Sequence, residues 1–317
     1  MSPIDLSIVI CTFHRNDLLQ ALLRSIAAQD LPEGLAARVV VVDNSDEGLA
    51  RELVAQAALD SPVPMRWIEA HPPNISLARN AGLRADSADF VAFIDDDQCL
   101  EPGWLGAVAR TLREEPFDGW LGRVIARFEA PDQATPAARM VFSRELDRPS
   151  GFELFAFGPK RIHGVGVATN NAIFRRATTL MQPAPFDPAL GVSGGEDYDL
   201  FCRLQRQGRR FAWLPDAVVS EFVPAARCQR AYLNRRFYAG GQQFARAVAR
   251  SGVHPAAARW LIRAKALVQA GLLACRAPLC LLQGPDQRAD FGFRFAGVMG
   301  KLSFGALYPL YQQRPKP

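Results

Sequence analysis

The sequence predicts an α/β fold with a mostly parallel, mixed sheet flanked by helices, followed by a basic helical tail. Short apolar runs typical of buried strands alternate with segments whose apolar residues recur at helical spacing, and this alternation predicts the sheet. Several apolar runs end in acidic or polar residues, which predicts a site at one edge of that sheet. Charge predicts the tail: residues 1–200 contain 18 Lys and Arg against 28 Asp and Glu, whereas residues 201–317 contain 19 against 4.

The elements follow one another regularly through the first part of the chain. Buried strands are predicted at residues 6–11, 38–43, 65–69 and 90–95. The helices between them are predicted at residues 17–29, 47–58 and 76–85, and a further helix opens at Pro102. Later strand patterns occur at 120–128, 168–174 and 211–215, with a helical pattern at 198–207 and basic helical sequence from residue 228 onward. A β-α-β alternation of this kind predicts parallel strands with helices on both faces.

Length and composition limit the kinds of protein that this chain can be. With 317 residues and 49% hydrophobic content, the chain is long enough to bury a large core. Its six cysteines form no C-x-x-C pair, which predicts free thiols in a reducing compartment. The first residues lack the basic region of a signal peptide, so a cytoplasmic location is expected.

The sharpest local signal is a run of three acids, Asp95, Asp96 and Asp97, directly after a predicted buried strand. Three adjacent carboxylates repel one another unless a cation compensates, and alternate residues of a tight turn can aim at one point. Oxygen ligands with high negative charge suit Mg²⁺ or Mn²⁺. A solvated acidic turn that caps the next helix is the alternative, and the spacing alone leaves both open.

Other candidates lie at strand ends and helix starts. Asp43 ends the second strand, and Arg79 lies on the helix at 76–85. The sequence Gly194-Gly195-Glu196-Asp197 places two acids at the start of a helix behind two glycines, which permit unusual backbone angles. Capping alone also favours acids at that position. The first strand is not followed by G-x-G-x-x-G, which argues against a dinucleotide dehydrogenase.

Four segments, in order, resemble family 2 glycosyltransferases with the GT-A fold, and the likeness extends over about residues 5–250. They are SIVICTFHR (7–15), VVVVDNSDEG (39–48), NISLARNAGL to FVAFIDDDQCLEPGWL (74–105) and FDPALGVSGGEDYDLFCRL (186–204). The segments GVATNNAIFRR (166–176) and RRFYAGGQQFAR (235–246) are most similar to bacterial exopolysaccharide glucosyltransferases of the succinoglycan type. The resemblance implies a single nucleotide-sugar-binding domain over residues 1–250.

The resemblance also implies roles by position. On the donor side it implies uridine contacts from Thr12 and Asp43, a pyrophosphate contact from Arg79, and further donor contacts from Asp95 and Asp96. It implies that Asp95 and Asp97 are the D-x-D acids that hold Mg²⁺ or Mn²⁺, with Asp97 most directly on the metal. It implies Asp197 as the general base. Acceptor contacts are expected from Asn170, Asn171, Glu196, Arg235 and Arg236.

The function expected is transfer of a hexose such as glucose from a UDP-sugar to a lipid-linked saccharide, with inversion, in cell-surface or exopolysaccharide synthesis. A cation would neutralise charge on the departing diphosphate, and one carboxylate would remove the acceptor proton. A nucleotidyltransferase is one alternative, although the turn after the first strand has no glycine. A non-catalytic, membrane-bound assembly subunit is another, and the intact acids speak against it.

The tail, residues 251–317, is expected to bind an anionic membrane surface on the cytoplasmic face of the inner membrane. Residues 201–317 carry a net charge of +15, against −10 for residues 1–200. Residues 260–282 and 291–311 mix apolar runs with Arg and Lys, which suits a helix lying in the headgroup region rather than crossing the bilayer. The alternative is a helical layer packed against the catalytic domain. A nucleic-acid partner is not expected, because the apolar runs have no use there.

Overall fold

The computed structural model describes residues 3–162 and 164–309. The strands are β1 (Ile4–Thr12), β2 (Leu35–Asp43), β3 (Met65–Glu69), β4 (Phe90–Asp95), β5 (Gln98–Leu100), β6 (Gly119–Phe128), β7 (Glu153–Leu154), β8 (Ala172–Arg175) and β9 (Phe211–Val223). The helices are α1 (Asn16–Ala27), α2 (Arg51–Leu59), α3 (Ile75–Ala85), α4 (Trp104–Glu114), α5 (Pro136–Phe142), α6 (Arg176–Thr179), α7 (Glu196–Arg206), α8 (Ala225–Cys228), α9 (Arg230–Arg250), α10 (Pro255–Leu281) and α11 (Pro285–Leu302).

One sheet organises the molecule, with strand order β3-β2-β1-β4-β8-β6-β9-β5 and β7 paired to β9. Strands β1 to β4 are mutually parallel, as the β-α-β alternation predicts. Strand β8 then runs antiparallel to both β4 and β6, and β9 runs parallel to β6. The predicted mixed, mostly parallel sheet is therefore confirmed, and the parallel strands β1 and β4 end side by side.

The inner strands are apolar along their whole length because both faces of the sheet are covered. Ile8 and Ile10 of β1 lie in a core cluster with α1 and α4. Val9, between them, lies in a second cluster with α3 and α7 on the other face. Buried parallel strands lack the alternation of half-exposed ones for this reason. The strands predicted at 6–11, 38–43, 65–69 and 90–95 are confirmed.

The second half of the sheet differs from the sequence prediction in two places. Strand β9 continues to Val223, past the predicted end at 215, because residues 215–217 bulge out where the β6 register shifts between Gly122 and Arg123. Pro215 has no amide hydrogen to give to a ladder and is accommodated at this irregularity. In the predicted strand 168–174, only the part from Ala172 onward is extended.

The C-terminal helices extend the molecule beyond the sheet. Helix α9 packs on α7, and α11 packs on α9. The crossing of α9 and α11 is close, since a Cβ at Gly241 would lie 2.1 Å from the Gly297 carbonyl oxygen and one at Gly300 would lie 2.0 Å from that of Tyr238. Phe293 of α11 is buried against Phe237 of α9, with ring centroids 5.4 Å apart. The predicted boundary between residues 250 and 251 lies in the connection from α9 to α10.

Helix α10 contrasts with α11, because most of its large apolar side chains are exposed. They are Trp260, Leu261, Leu267, Val268, Leu272 and Leu279. Within residues 3–162 and 164–309, none of the helices has the length and apolar character needed to cross a bilayer. None of the six cysteines is disulfide-bonded. Residues 310–317 of the predicted tail lie outside the described residues.

Candidate active site

A cavity of about 1630 Å³ opens where the carboxyl ends of β1 and β4 meet α7 and the C-terminal helices. The strand register brings the first residues of the site together, since Cys11 pairs with Asp95 and Thr12 with Asp43. The sheet end of the wall includes Thr12, Arg79, the three acids at 95–97, Glu196 and Asp197, and the far end is built by α9, α10 and α11.

Asp96 ties the acidic turn to the end of β1. Its carboxylate accepts hydrogen bonds from Thr12 Oγ1 at 3.0 Å and from Arg15 Nη1 at 2.9 Å. Burial raises the pKa of Asp96 to about 6, although Arg15 acts to lower it. Both oxygens of Asp96 are thus used within the protein, so its predicted donor contact stays a prediction.

Asp95 and Asp97, the alternate acids of the run, keep more of their carboxylate oxygens available. The Asp95 side chain is 41% exposed and accepts no hydrogen bond from the described residues, the Arg79 guanidinium being 3.7 Å away. Oδ2 of Asp97 contacts Arg15 at 3.2 Å and Arg227 at 3.4 Å, while its Oδ1 has no donor in the described part of the chain. The pair therefore presents carboxylate oxygens to the cavity with arginines behind them.

Arg79 and Glu196 form a buried ion pair that joins α3 to α7. Burial raises the pKa of Glu196 to about 7, and the Arg79 guanidinium opposes that rise. Isolated charges are costly in a protein interior, so each partner stabilises the charged form of the other. Of the two acids at the start of α7, Glu196 is thus committed to Arg79.

Asp197, the second acid at the start of α7, lies half-buried in the cavity wall. Its carboxylate accepts hydrogen bonds from the backbone amides of Tyr198 at 2.6 Å and Thr169 at 3.4 Å. Gly194 and Gly195 precede it with φ of 77° and 92°, and a Cβ at Gly195 would lie 2.7 Å from Cγ of Gln243. The two glycines therefore let the chain turn into α7 while passing close to α9.

Glu221 of β9 is a further acid of the site, which the sequence prediction missed. Burial, together with nearby Asp97 and Asp95, raises the pKa of Glu221 to about 7. Its Oε2 accepts from Asn170 Nδ2 at 3.2 Å and from Gln98 Nε2 at 3.3 Å. The available signal was a lone acid in a mostly apolar stretch of strand, AVVSEFV. The cavity-lining charges that were missed also include Arg15 and Arg227.

The two adjacent asparagines, Asn170 and Asn171, lie in different environments. Asn170 lines the cavity, and the buried guanidinium of Arg144 donates to its side chain. Asn171 is fully buried, and its side chain accepts from Trp104 Nε1 at 2.9 Å and donates to the Ala217 carbonyl at 2.8 Å. The prediction that Asn171 binds the acceptor is therefore corrected, because its amide is used to hold the bulged part of the sheet.

Two more predicted site residues lie away from the cavity. Arg235 is exposed on α9 and does not line the cavity, whereas its neighbour Arg236 does line it. The predicted acceptor contact of Arg235 stays a prediction. The buried carboxylate of Asp43 accepts from the amides of Ser45 at 2.9 Å and Ala50 at 2.8 Å. Burial acts to raise the pKa of Asp43, but these hydrogen bonds outweigh it and lower the pKa. A contact of Asp43 with uridine stays a prediction.

Sequence comparison identifies the family to which this chain belongs. The profile of the family described as "Glycosyl transferase family 2" matches residues 7–179. The chain is 34% identical over 302 residues to the succinoglycan biosynthesis protein ExoM of Rhizobium meliloti, covering 94% of this chain and 93% of that protein. It is 28% identical over 220 residues to the succinoglycan biosynthesis protein ExoU of the same organism, covering 66% and 59%.

Solved structures agree on the fold. The mannosyltransferase PcManGT of Pyrobaculum calidifontis, in complex with GDP-Man and Mn²⁺, superposes with a TM-score of 0.57 at 19% identity, covering 95% of this chain and 86% of that one. Residues 1–349 of S. aureus TarS, in complex with UDP-GlcNAc, give a TM-score of 0.55 at 18% identity, covering 80% and 69%. The GT-A-type fold is thereby confirmed.

The family match excludes the nucleotidyltransferase alternative. It covers more than half of the chain, and the likeness to ExoM extends along almost all of both proteins. The resemblance recognised from the four sequence segments is therefore confirmed. The chain belongs to glycosyl transferase family 2 and is a glycosyltransferase.

Proposed function

We propose that the enzyme transfers a hexose from a UDP-sugar to a hydroxyl of a lipid-linked saccharide during exopolysaccharide assembly. The observation that carries the proposal is the meeting of Asp95, Asp97 and Asp197 in one cavity large enough for donor and acceptor together. The names of the relatives support the process, since ExoM and ExoU both belong to succinoglycan biosynthesis. The complex of TarS with UDP-GlcNAc supports a UDP-sugar donor.

The donor diphosphate would lie at the acidic turn with Mg²⁺ or Mn²⁺. Oxygen atoms of Asp95 and Asp97 that lack hydrogen-bond donors within the described residues fit such a cation, and the two carboxylates are hard ligands. No group of three His, Cys, Asp or Glu side chains in the described part of the chain forms a complete metal site. This fits Mg²⁺-type sites, which use one or two carboxylates plus substrate phosphates and water. When bound, the cation would neutralise charge on the departing diphosphate.

Asp197 is the proposed general base. It lines the cavity, whereas Glu196 beside it is held by Arg79. Two backbone amides orient the Asp197 carboxylate without neutralising it by an ion pair. Removal of the acceptor proton by Asp197 would allow in-line attack on the anomeric carbon, so an α-linked donor would give a β-linked product. A second carboxylate nucleophile is not required, unlike in a retaining glycosidase.

Donor hydrolysis tests the proposed reaction directly. We expect the purified chain to release UDP slowly from at least one UDP-hexose without acceptor, only when Mg²⁺ or Mn²⁺ is present. A panel of UDP-, GDP- and dTDP-sugars, assayed with each ion and with EDTA, measures this. Release from GDP-sugars alone would contradict the UDP assignment, and undiminished release in EDTA would contradict the metal.

Membrane association is proposed through the exposed side of α10. At about 100° per residue, Leu261, Val268, Leu272 and Leu279 fall within an arc of about 40°, which forms a continuous apolar stripe. Lys265 and Arg276, both exposed, lie next to this stripe. Apolar residues bordered by cations suit the surface of an anionic bilayer, where each basic residue contributes about 1 kcal/mol. We propose that this surface is the cytoplasmic face of the inner membrane.

Flotation with phosphatidylglycerol vesicles tests the membrane proposal on the full chain. We expect the wild type to float at low salt and less at high salt, and the variant Val268→Glu/Leu279→Glu to remain at the bottom. Leu59→Glu, which changes a leucine that is 76% exposed on α2, is the matched control and should float normally. A wild type that stays at the bottom even at low salt would overturn the proposal.

A further inference from the structure

A second charged cluster lies in the cavity wall, contributed by three separate segments. Arg161, in the loop after β7, has its guanidinium carbon 5.5 Å from the centroid of the Phe244 ring on α9. Lys301, in the last turn of α11, has its Nζ 5.4 Å from the same centroid. All three residues line the cavity. Two cations from distant parts of the chain are therefore held at one aromatic ring.

Neither cation has an acidic partner among the described residues. Lys301 Nζ donates to the neutral Gln269 Oε1 at 3.1 Å, and Nε of Arg161 is buried with no acceptor among the residues that the structure describes. Burial lowers the pKa of Lys301, and the charge of Arg161 lowers it further. The arginines at the other end of the cavity differ, since Arg15 and Arg79 both contact carboxylates.

Two like charges at one aromatic ring, one of them with a buried donor that has no acceptor among the described residues, have an unfavourable energy that an anion would relieve. The donor diphosphate is not that anion in the proposed reaction, because it belongs at the acidic turn. The pair lies instead at the C-terminal helices, since Lys301 belongs to α11 and donates to Gln269 of α10. Leu272 and Leu273, about one turn along α10 from Gln269, also line the cavity. Leu272 also belongs to the exposed stripe of α10.

We infer that Arg161 and Lys301 form an anion site for the acceptor, which holds a phosphate or diphosphate ester carrying an apolar chain. The inference rests on the proposed function, because it takes the donor diphosphate to lie at the acidic turn and therefore puts the acceptor phosphate at the opposite end of the cavity. Guanidinium and ammonium groups supply charge-assisted hydrogen bonds to phosphate oxygens. Leucine side chains of α10 would contact the apolar chain of the acceptor where it passes from the cavity to the bilayer. The acceptor saccharide would then extend from the phosphate toward Asp197.

Binding of farnesyl diphosphate to the full chain tests this site without requiring turnover. We expect calorimetric titration, with and without excess UDP, to show that Arg161→Ala/Lys301→Ala weakens farnesyl diphosphate binding at least about tenfold. Binding of farnesol, which lacks the phosphates, should be unaffected by the double variant. The charge-retaining variant Arg161→Lys/Lys301→Arg should keep most of the affinity, which separates lost charge from a damaged fold.

The matched control is Lys160→Ala/Arg288→Ala, which removes two exposed basic residues from the same loop and the same helix. It should bind farnesyl diphosphate like the wild type. Unchanged affinity in Arg161→Ala/Lys301→Ala would overturn the inference. Equal losses of affinity for farnesyl diphosphate and farnesol in this variant would also overturn it. If the variant instead lost binding to phosphatidylglycerol vesicles and kept its affinity for farnesyl diphosphate, the pair would be assigned to lipid headgroups and the inference would be wrong. Because no sugar donor is needed, the result stands apart from the test of the proposed reaction.

Discussion

Replacement of Asp197 by Asn should lower the rate of sugar transfer by about 10²–10⁴-fold and leave the affinity for UDP-sugar nearly unchanged. The Asp197 side chain lines the cavity, and the oxygen of Asn can still accept the shorter hydrogen bond, from the Tyr198 amide, while its NH₂ group cannot take a proton. Single-turnover rates, together with donor binding measured separately, distinguish the loss of a base from the loss of a donor contact.

Glu196→Gln is the informative comparison for Asp197. It should destabilise the protein, because the buried Arg79 would lose its charged partner, a change that costs about 3–5 kcal/mol in buried pairs. Any loss of activity in Glu196→Gln should therefore parallel its loss of stability, which unfolding in urea measures. If Asp197→Asn weakens donor binding as strongly as turnover, Asp197 is a donor contact or a cap, and Glu196 becomes the candidate base.

Replacement of Asp97 by Asn should remove most metal-dependent activity, at least about 100-fold, because charge stabilisation by a bound cation is worth several kcal/mol. The fold should survive, since Arg15 keeps its 2.9 Å contact with Asp96 after the change. The measurement is UDP release against Mn²⁺ concentration, with thermal unfolding as the check on stability.

Asp216→Asn is a matched control for Asp97→Asn, because Asp216 is an exposed acid that also contacts an arginine, Arg110, at 3.5 Å. Exposed ion pairs contribute little, so this variant should retain normal activity and metal dependence. Normal activity and metal dependence in Asp97→Asn as well would contradict the assignment of Asp97 to the metal.

The part of the site at the edge of the sheet was predictable because its residues follow strands that the sequence marks clearly. Thr12 and the acids at 95–97 end adjacent parallel strands, and parallel strands bring their carboxyl ends to one edge. A local pattern is enough to locate such residues, because the sheet itself brings the ends of its parallel strands together at one edge. The pair Glu196 and Asp197 was predictable from its glycines for a similar reason.

The rest of the site depends on long-range packing that has no local pattern. Glu221 lies within a long strand, and it becomes part of the site only because β9 lies next to β6 and β5. Arg161 and Lys301 are 140 positions apart and meet at a ring of α9. Asn171 was misassigned because adjacent asparagines look alike in sequence, whereas the chain turns at positive φ there and buries only the second.

Because α9 touches α11 backbone to backbone at Gly241 and Gly297, the two helices can be exchanged between related enzymes only as a pair. A chimera joined after residue 250 would place a foreign α11 against a native α9, and a side chain larger than hydrogen at position 300 would meet the Tyr238 carbonyl and force the helices apart. The cavity wall would open with them. Recombinant enzymes should therefore be active more often when the junction precedes Arg230, because α9, α10 and α11 are then exchanged together while the sheet stays unchanged.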